Sequence, residues 1–576
     1  MKSFLDEIAY ALVEKHQGNL RDVVVIVPNN RVSVFLRKAL QKHLEGRGWL
    51  PELIPFADFI GNDSPLAVLP NASLIAMLYE IYAEQKGGDL FEHFIPTAQT
   101  MLADFNELDS QLANPEQFFR DLQHLKALNF FLEDQESLTP FQLNYQAFWK
   151  IFEGCYFGLK EKLLANGAAY SGLMYRTQAE DRAWLANYRG LHLYFVGFSL
   201  FSKSEETIVR HCMDAFHAEV WSDTDRWYTE NQMHEAGAYF RELRKKWKLE
   251  PSPFQGNFIR ETPRKVEIVG TAKNIGQAVA AGAVLQQFQN SGKTTAVILP
   301  DEKLLQPLMA ALPDNESVNI TMGLPLKETA IADFVRYWLD MHLQAGKNKR
   351  RRFYHKDVLQ LLQHPFTEQL LAHKNSAADC QTEIVRKNKI SLTAADLEKL
   401  LENEPQLFQL LFQMPEDHLQ LLSAIEQLLL QLLKNEAQLE VIHDREPVAI
   451  EKLLDTVRHL QWHTRNWKDH IAISSFIPLL LHELKTVRIP FESDQTEGIQ
   501  LMGIFETRAL DFDQVVILAC NEGILPPSKK SNSFIPYEMR KAYELSTSDE
   551  SDSTYSYLFY RLMQRAEQVV LLYNTE

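Results

Sequence analysis

Apolar residues run along this chain in two alternating styles. Met1–His16 (MKSFLDEIAYALVEKH) places Phe4, Ile8, Leu12 and Val13 on one face at helical spacing. Short unbroken apolar runs follow at Val23–Val27 (closed by Pro28), Leu191–Val196, Ala218–Trp221, Val266–Thr271, Ala296–Leu299, Ile499–Ile504 and Val515–Cys520. They are too short for helices and end in turn residues, as parallel strands buried on both faces do. Helical patterns lie between them, at Val32–His43, Asn274–Gln289 and Thr329–His342. Residues 67–185 and 345–492 read as helical almost throughout. The stretch Ala394–Gln438 is rich in leucine and glutamine but keeps no heptad, which predicts bundle packing. The expected class is α/β with two parallel-sheet cores. The first is built from 1–66 and 186–255, the second from 264–344 and 493–576, and each is interrupted by a helical insertion (67–185 and 345–492). Pro251, Pro253 and Pro263 mark the boundary between them.

A length of 576 residues calls for several domains. The net charge of −17 argues against a surface that is basic throughout, but leaves room for a local basic channel. Cys155, Cys212, Cys380 and Cys520 are far apart with no CxxC, so neither a disulfide framework nor a zinc site is expected, and a reducing cytoplasm fits. The first helix carries Asp6 and Glu7, unlike a signal peptide. No apolar run approaches the ~18 residues of a membrane span.

The candidate chemistry lies in loops and charge runs. Glu506–Asp513 is a charged turn between two strands, and Asn521-Glu522-Gly523 with Pro526-Pro527 closes the second. Ligand-facing loops of parallel sheets lie at the carboxyl ends of strands. Arg241, Arg244, Lys245 and Lys246 crowd one helix, and Lys347-Asn348-Lys349-Arg350-Arg351-Arg352 runs straight into Phe353 and Tyr354. Basic charge beside aromatics suits a single strand, with phosphates neutralised and bases stacked; the alternative is solvated surface. Asp104, Glu107 and Asp109 invite a metal reading. Their helical spacing beside Phe105 and Leu108 predicts a solvated face, and no E-x-K or D-x-K strand supports a nuclease here. Gly292-Lys293-Thr294 looks like the end of a phosphate loop. However, Gln287 stands where the loop's first glycine belongs, and a strand follows instead of a helix.

TRALDFDQVVILACNEGILPP (Thr507–Pro527) resembles the stretch of superfamily 1, UvrD-like helicases that reads roughly KGLEFD, an apolar strand, then NEG and a proline. YLFYRLMQRAEQVVL (Tyr557–Leu571) resembles their arginine-finger helix, with Arg565 on the finger position. MGIFETRALDFD, SFIPYEMRKAYEL and Asn319–Leu326 are most similar to the AddB-type subunit of bacterial double-strand-break nucleases. The resemblance implies two RecA-like cores, with a PD-(D/E)XK nuclease domain beyond residue 576. The helicase-motif remnants are Arg508, Asp511, Asp513, Asn521, Glu522, Gly523 and Arg565. Several positions depart from the pattern: Arg508 for Lys, Ala509 for Gly, Asp511 for Glu and Gln564 for Thr.

The strand-turn-helix at 22–43, with Arg31, resembles the segment just after the ATP loop. No G-x-x-x-x-G-K-[ST] precedes the first helix, only Lys2-Ser3, and Gly197 and Phe198 stand where the Mg²⁺-holding VDExQD would be. The resemblance therefore implies a body without a nucleotide cofactor, a metal or catalytic residues of its own. Its task would be to grip DNA ends or single strands for a motor partner of AddA or RecB type, in repair and recombination; the inactivated subunit RecC is the analogy. The DNA-contact candidates are Arg31, Arg241, Arg244, Lys245, Lys349, Arg350, Arg351, Arg352 and Arg508. Arg508, Asp511 and Asp513 have a second reading, as hydrogen-bonded locks of the turn. Two other functions stay open: a protein-interaction scaffold without DNA contact, and an ATP-dependent helicase with an unrecognised nucleotide site.

Overall fold

The structure is a computed structural model that describes all residues except 1, 45–47, 87–90, 132–139, 290, 314–316, 348–350, 372–375, 435–444, 466–471, 490–496 and 529–531. The chain divides into two units. The first, residues 1–68, 100–322 and 491–576, carries both large parallel sheets. The second comprises 69–99 and 323–490.

Four strands form the first sheet: β1 (Val23–Val27), β2 (Glu52–Pro55), β3 (His192–Val196) and β4 (Glu219–Trp221), in the order β2-β1-β3-β4 and all parallel. β1 is buried at every position, as its unbroken Val-Ile run predicts. The chain leaves β1 to one side towards β2 and returns on the other side as β3, so a topological switch point lies between β1 and β3. The second sheet has six parallel strands: β5 (Lys265–Thr271), β6 (Thr295–Ile298), β7 (Val318–Ile320), β8 (Ile499–Met502), β9 (Gln514–Ile517) and β10 (Gln568–Asn574). Their order is β5-β10-β9-β6-β8-β7. The expected apolar runs thus become strands in register, within one to three residues of their bounds.

Eight helices matter below: α1 (Phe4–Lys15), α2 (Asn30–His43), α3 (Phe91–Ser110, of which residues from Thr100 on belong to this unit), α4 (Ser171–Glu180), α5 (Lys203–Phe216), α6 (Ala238–Trp247), α7 (Lys273–Phe288) and α8 (Ser548–Met563). Asn29 caps α2 by accepting from Val32 N–H at 3.1 Å. Ser202 and Glu205 form a capping box on α5. One apolar core joins the two sheets, with Val25, Val27 and Tyr194 of the first packed in the same cluster as Ile298, Val515 and Ile517 of the second, along with Phe4 and Ile8 of α1 and Leu558 of α8. The other face of the second sheet packs on α7 through Ala278, Ala281 and Leu285.

The solvated face expected for Asp104, Glu107 and Asp109 is not what forms. Asp109 is fully buried and accepts from Arg176 Nε at 2.6 Å, Tyr156 Oη at 2.7 Å and the Tyr170 hydroxyl. Asp104 is also buried, accepting from Ser533 Oγ at 2.6 Å and Phe534 N–H at 2.8 Å, while Glu107 pairs with Arg540 at 2.8 Å. Helical phase is the reason. At about 100° per residue, Asp104 and Asp109 flank Phe105 and Leu108, so the buried stripe of α3 includes them. Among the described residues no three His, Cys, Asp or Glu side chains gather as a metal site.

The second unit is helical. The leucine-rich stretch breaks into Ala394–Leu400, Pro405–Phe412 and His418–Leu433, with Thr393 capping the first and Asp417 the third. Glu446 is buried at the start of the helix Ala330–Lys347, where its carboxylate accepts from Ala330 and Ile331 N–H, both at 3.0 Å. A carboxylate there meets the positive end of the helix dipole. Among the described residues no helix is long and apolar enough to cross a membrane.

Candidate nucleic-acid interface

The carboxyl end of the first sheet and the amino end of the second meet around a buried charge cluster. Asp223 lies just past β4, Asp511 in the turn before β9, Arg561 on α8 and Arg565 just past it. Arg561 Nε lies 2.7 Å from Asp223 Oδ2 and its Nη2 lies 2.9 Å from Asp511 Oδ1. Arg565 Nη1 lies 2.8 Å from Asp223 Oδ1, Gln564 Nε2 donates to the same oxygen at 2.8 Å, and the Arg565 guanidinium stacks 4.0 Å from the Phe258 ring centre. Burial alone would raise the Asp223 carboxyl; Arg565 and Arg561 overcome it and hold it below its ordinary range.

Asp511 also accepts from the Phe4 N–H at 2.7 Å, at the first residue of α1. A helix N-terminus is a ready anion site, and here the anion is the protein's own carboxylate. Arg565, expected at a finger position, is 3% exposed and committed to Asp223. Beside this cluster, Gly197 adopts a left-handed conformation (φ +78°), and a Cβ built on it would lie 2.7 Å from the Ala509 Cβ. Ala509 is itself left-handed, at φ +59°. The loop after β3 and the turn before β9 therefore touch with no room for a side chain between them.

An open cavity of about 740 Å³ lies at the carboxyl ends of β1, β2 and β3, next to the switch point. Pro28, Phe56, Phe198 and Phe201 come from those strand ends, Tyr175 from α4, and Tyr239 and Lys246 from α6. Arg508 lines the same cavity, 5.3 Å from the Phe505 ring centre, and its buried Nε has no hydrogen-bond partner. Burial draws the Arg508 guanidinium below its ordinary pKa, and Glu205 pushes it back up. Glu205 is itself engaged at the start of α5, accepting from Ser202 N–H at 2.7 Å. The two lysines at the rim are paired, Lys203 with Glu544 and Lys246 with Glu206. A largely buried guanidinium with an unused donor, set among aromatic rings, is chemistry suited to a phosphate whose base stacks nearby.

The remaining candidates are placed as follows. Arg31 donates to Gln500 Oε1, sits 5.4 Å from the Phe35 ring centre and has a buried Nε without a partner. Burial pushes its pKa down to about 10, against the pull of Glu506. Arg241 knits one loop, donating to the carbonyls of Tyr228, Asn231 and His234 at 2.9 Å and of Gln232 at 3.2 Å. Arg244 is half-buried with an unpartnered Nε, and Lys245 is exposed. Lys349 and Arg350 lie outside the described residues. Arg351 is exposed and Arg352 donates to Ser391 Oγ at 3.2 Å, both in the second unit. Asp513 holds the Gly292-Lys293-Thr294 triplet by accepting from Thr294 N–H and Oγ1, both at 2.9 Å. Asn521 clamps the end of β10 through Asn574 in both directions at 2.8 Å, Glu522 is exposed, and Gly523 is left-handed at φ +79°.

Sequence reasoning missed Asp223, Arg561 and the closing role of Gly197. Arg561 had a signal, since it stands four residues before Arg565 and so shares its helical direction. Asp223 had none, because its partners lie more than 300 residues away, 338 for Arg561. A scan against protein-family models finds no match, and no curated protein matches the chain.

Proposed function

We propose that this chain is a helicase-shaped body of AddB type that grips DNA near a broken end without hydrolysing nucleotide. In this reading each parallel sheet is a RecA-like core, and 67–185 and 345–492 are their insertions. A motor partner of AddA or RecB type supplies translocation, and a nuclease domain beyond these residues cuts. The observation that carries the reading is the Arg508 cavity. It lies at the strand ends beside a switch point, where open α/β sheets take ligands, and it offers a guanidinium donor that the protein itself leaves unused. A single strand laid there would place a phosphate on Arg508 and bases against the aromatic lining.

The non-hydrolysing half of the reading rests on the neighbouring cluster. The anion position at the start of α1 is filled by Asp511, the finger arginine is bound to Asp223, and the Gly197–Ala509 contact leaves no space for a Mg²⁺-holding carboxylate.

Arg508→Ala is expected to weaken oligo(dT) binding about tenfold or more, since a charge-assisted hydrogen bond is worth about 1.5–3 kcal/mol. Fluorescence anisotropy on the variant and the parent reads this directly. Unchanged affinity would remove Arg508 from the interface. A second reading, a scaffold that docks a basic protein, draws support from the net charge of −17 and the acidic rim of the same cavity at Glu242, Asp549 and Glu550. It predicts no oligonucleotide binding at any salt concentration.

A further inference from the structure

The amino end of the first sheet carries a separate surface. A groove of about 660 Å³ lies between the 3-10 turn Ala183–Tyr188, the start of β3 and the C-terminus of α5. Its lining brings together Arg182, Arg189, His192, His211 and His217 and includes no carboxylate. Among the described residues none of these five side chains forms an ion pair or a side-chain hydrogen bond. The His192 ring packs on that of His16 at 4.8 Å, and the His211 ring on that of Phe216 at 6.0 Å.

Four carboxylates near the groove are turned to other partners. Asp181 accepts from Ala183 N–H at 3.1 Å, Asp214 pairs with Arg210 at 3.1 Å, Asp63 accepts from Asn187 at 2.9 Å, and Glu219 pairs with Lys15. Asp22 stands exposed beside Arg21, its carbonyl accepting from His192 N–H at 2.8 Å. Arg182 and Arg189, two arginines without ion-pair partners on a chain of net charge −17, make a local field opposite in sign to the rest of the molecule.

We propose that this groove binds the phosphates of a DNA duplex, as a contact distinct from the Arg508 cavity. The side chains between the cations are Ala183, Ala186, Leu191 and Ala215, and Phe216 lies edge-on to His211. With its one phenyl ring already engaged edge-on by His211, such a lining favours phosphate contact over base stacking. A duplex, with its bases already stacked inside and its phosphates outward, fits this chemistry better than a single strand. The inference shares its ligand class with the proposed function but uses other residues and another probe.

The test is anisotropy of a labelled blunt duplex and of labelled oligo(dT) with the full chain, across a salt titration, for the parent and for R182A/R189A. The double variant is expected to bind the duplex about tenfold more weakly, with a slope of log affinity against log salt shallower by about 2. Its oligo(dT) affinity should not change. Equal duplex affinity and slope in the two proteins overturn the proposal, as does an absence of duplex binding by the parent. A polyglutamate peptide that binds more tightly than the duplex at the same salt overturns it in favour of an acidic polypeptide. If the parent binds the duplex through these arginines but does not bind oligo(dT), this proposal holds while the Arg508 reading fails.

Discussion

Asp223→Ala is expected to lower the stability of the first unit by about 3–5 kcal/mol, the cost of removing one partner from a buried ion pair. Asp223 is fully buried and is shared by Arg561, itself fully buried, and Arg565. Without it, two guanidiniums are left facing Asp511 and the more distant Glu7, at 3.8 Å from Arg565. The loss is read as a shift in the first denaturant transition at pH 7. The pH dependence has a definite sign. The folded pKa of Asp223 lies below its ordinary 3.8, so its contribution is present above that value and is lost as pH falls through the lower folded value. The deficit of the variant should therefore be largest near neutrality and shrink below about pH 4. A transition unmoved at pH 7 would show that the cluster does not hold the sheets together. Replacing Asp223, Arg561 and Arg565 together with apolar residues of similar volume, and Asp511 with asparagine, should recover much of the loss, because no charge of the cluster is then left without its partner.

Gly197→Asp is the second large effect. On the proposed reading it places an acid where a working ATPase of the resembled kind keeps its Mg²⁺ carboxylates. The left-handed backbone at Gly197 and the 2.7 Å approach to Ala509 leave no volume for it. Overpacking costs about 1–3 kcal/mol and left-handed strain adds about 1 more, so the variant should lose about 2–4 kcal/mol and gain no Mg²⁺-dependent ATP binding. Combining it with Ala509→Gly should restore part of the stability, since the clash is with the Ala509 methyl. A Gly197→Asp protein as stable as the parent and newly able to bind Mg-ATP would mean that the nucleotide position is open, contrary to the closure described above.

Much of the first unit was legible as a sequence. Val23–Val27, His192–Val196 and Gln514–Ile517 announce themselves because strands buried on both faces need unbroken apolar runs with turns at each end. The order of strands did not follow from those runs, since parallel neighbours are chosen by crossovers and not by local pattern. The carboxylates of α3 were misread because charge was taken as a sign of solvent, whereas Asp109 finds Arg176 and two tyrosine hydroxyls inside the unit. The site itself was half legible. Arg508, Asp511 and Arg565 stand out in the charged motifs, but their fates differ. Asp511 and Arg565 are tied into the cluster by ion pairs, while Arg508 forms none among the described residues, and that distinction depends on Asp223 and Glu205, both distant in sequence.

The central claim is that DNA is gripped here without nucleotide. Anisotropy of labelled oligo(dT) and of a forked DNA end, across a salt titration and with or without Mg-ATP, tests it most directly, with phosphate release followed in the same samples. The account predicts binding that weakens steeply with salt, is unchanged by Mg-ATP, and is accompanied by no hydrolysis. DNA-stimulated phosphate release, or no binding even at low salt, would contradict it.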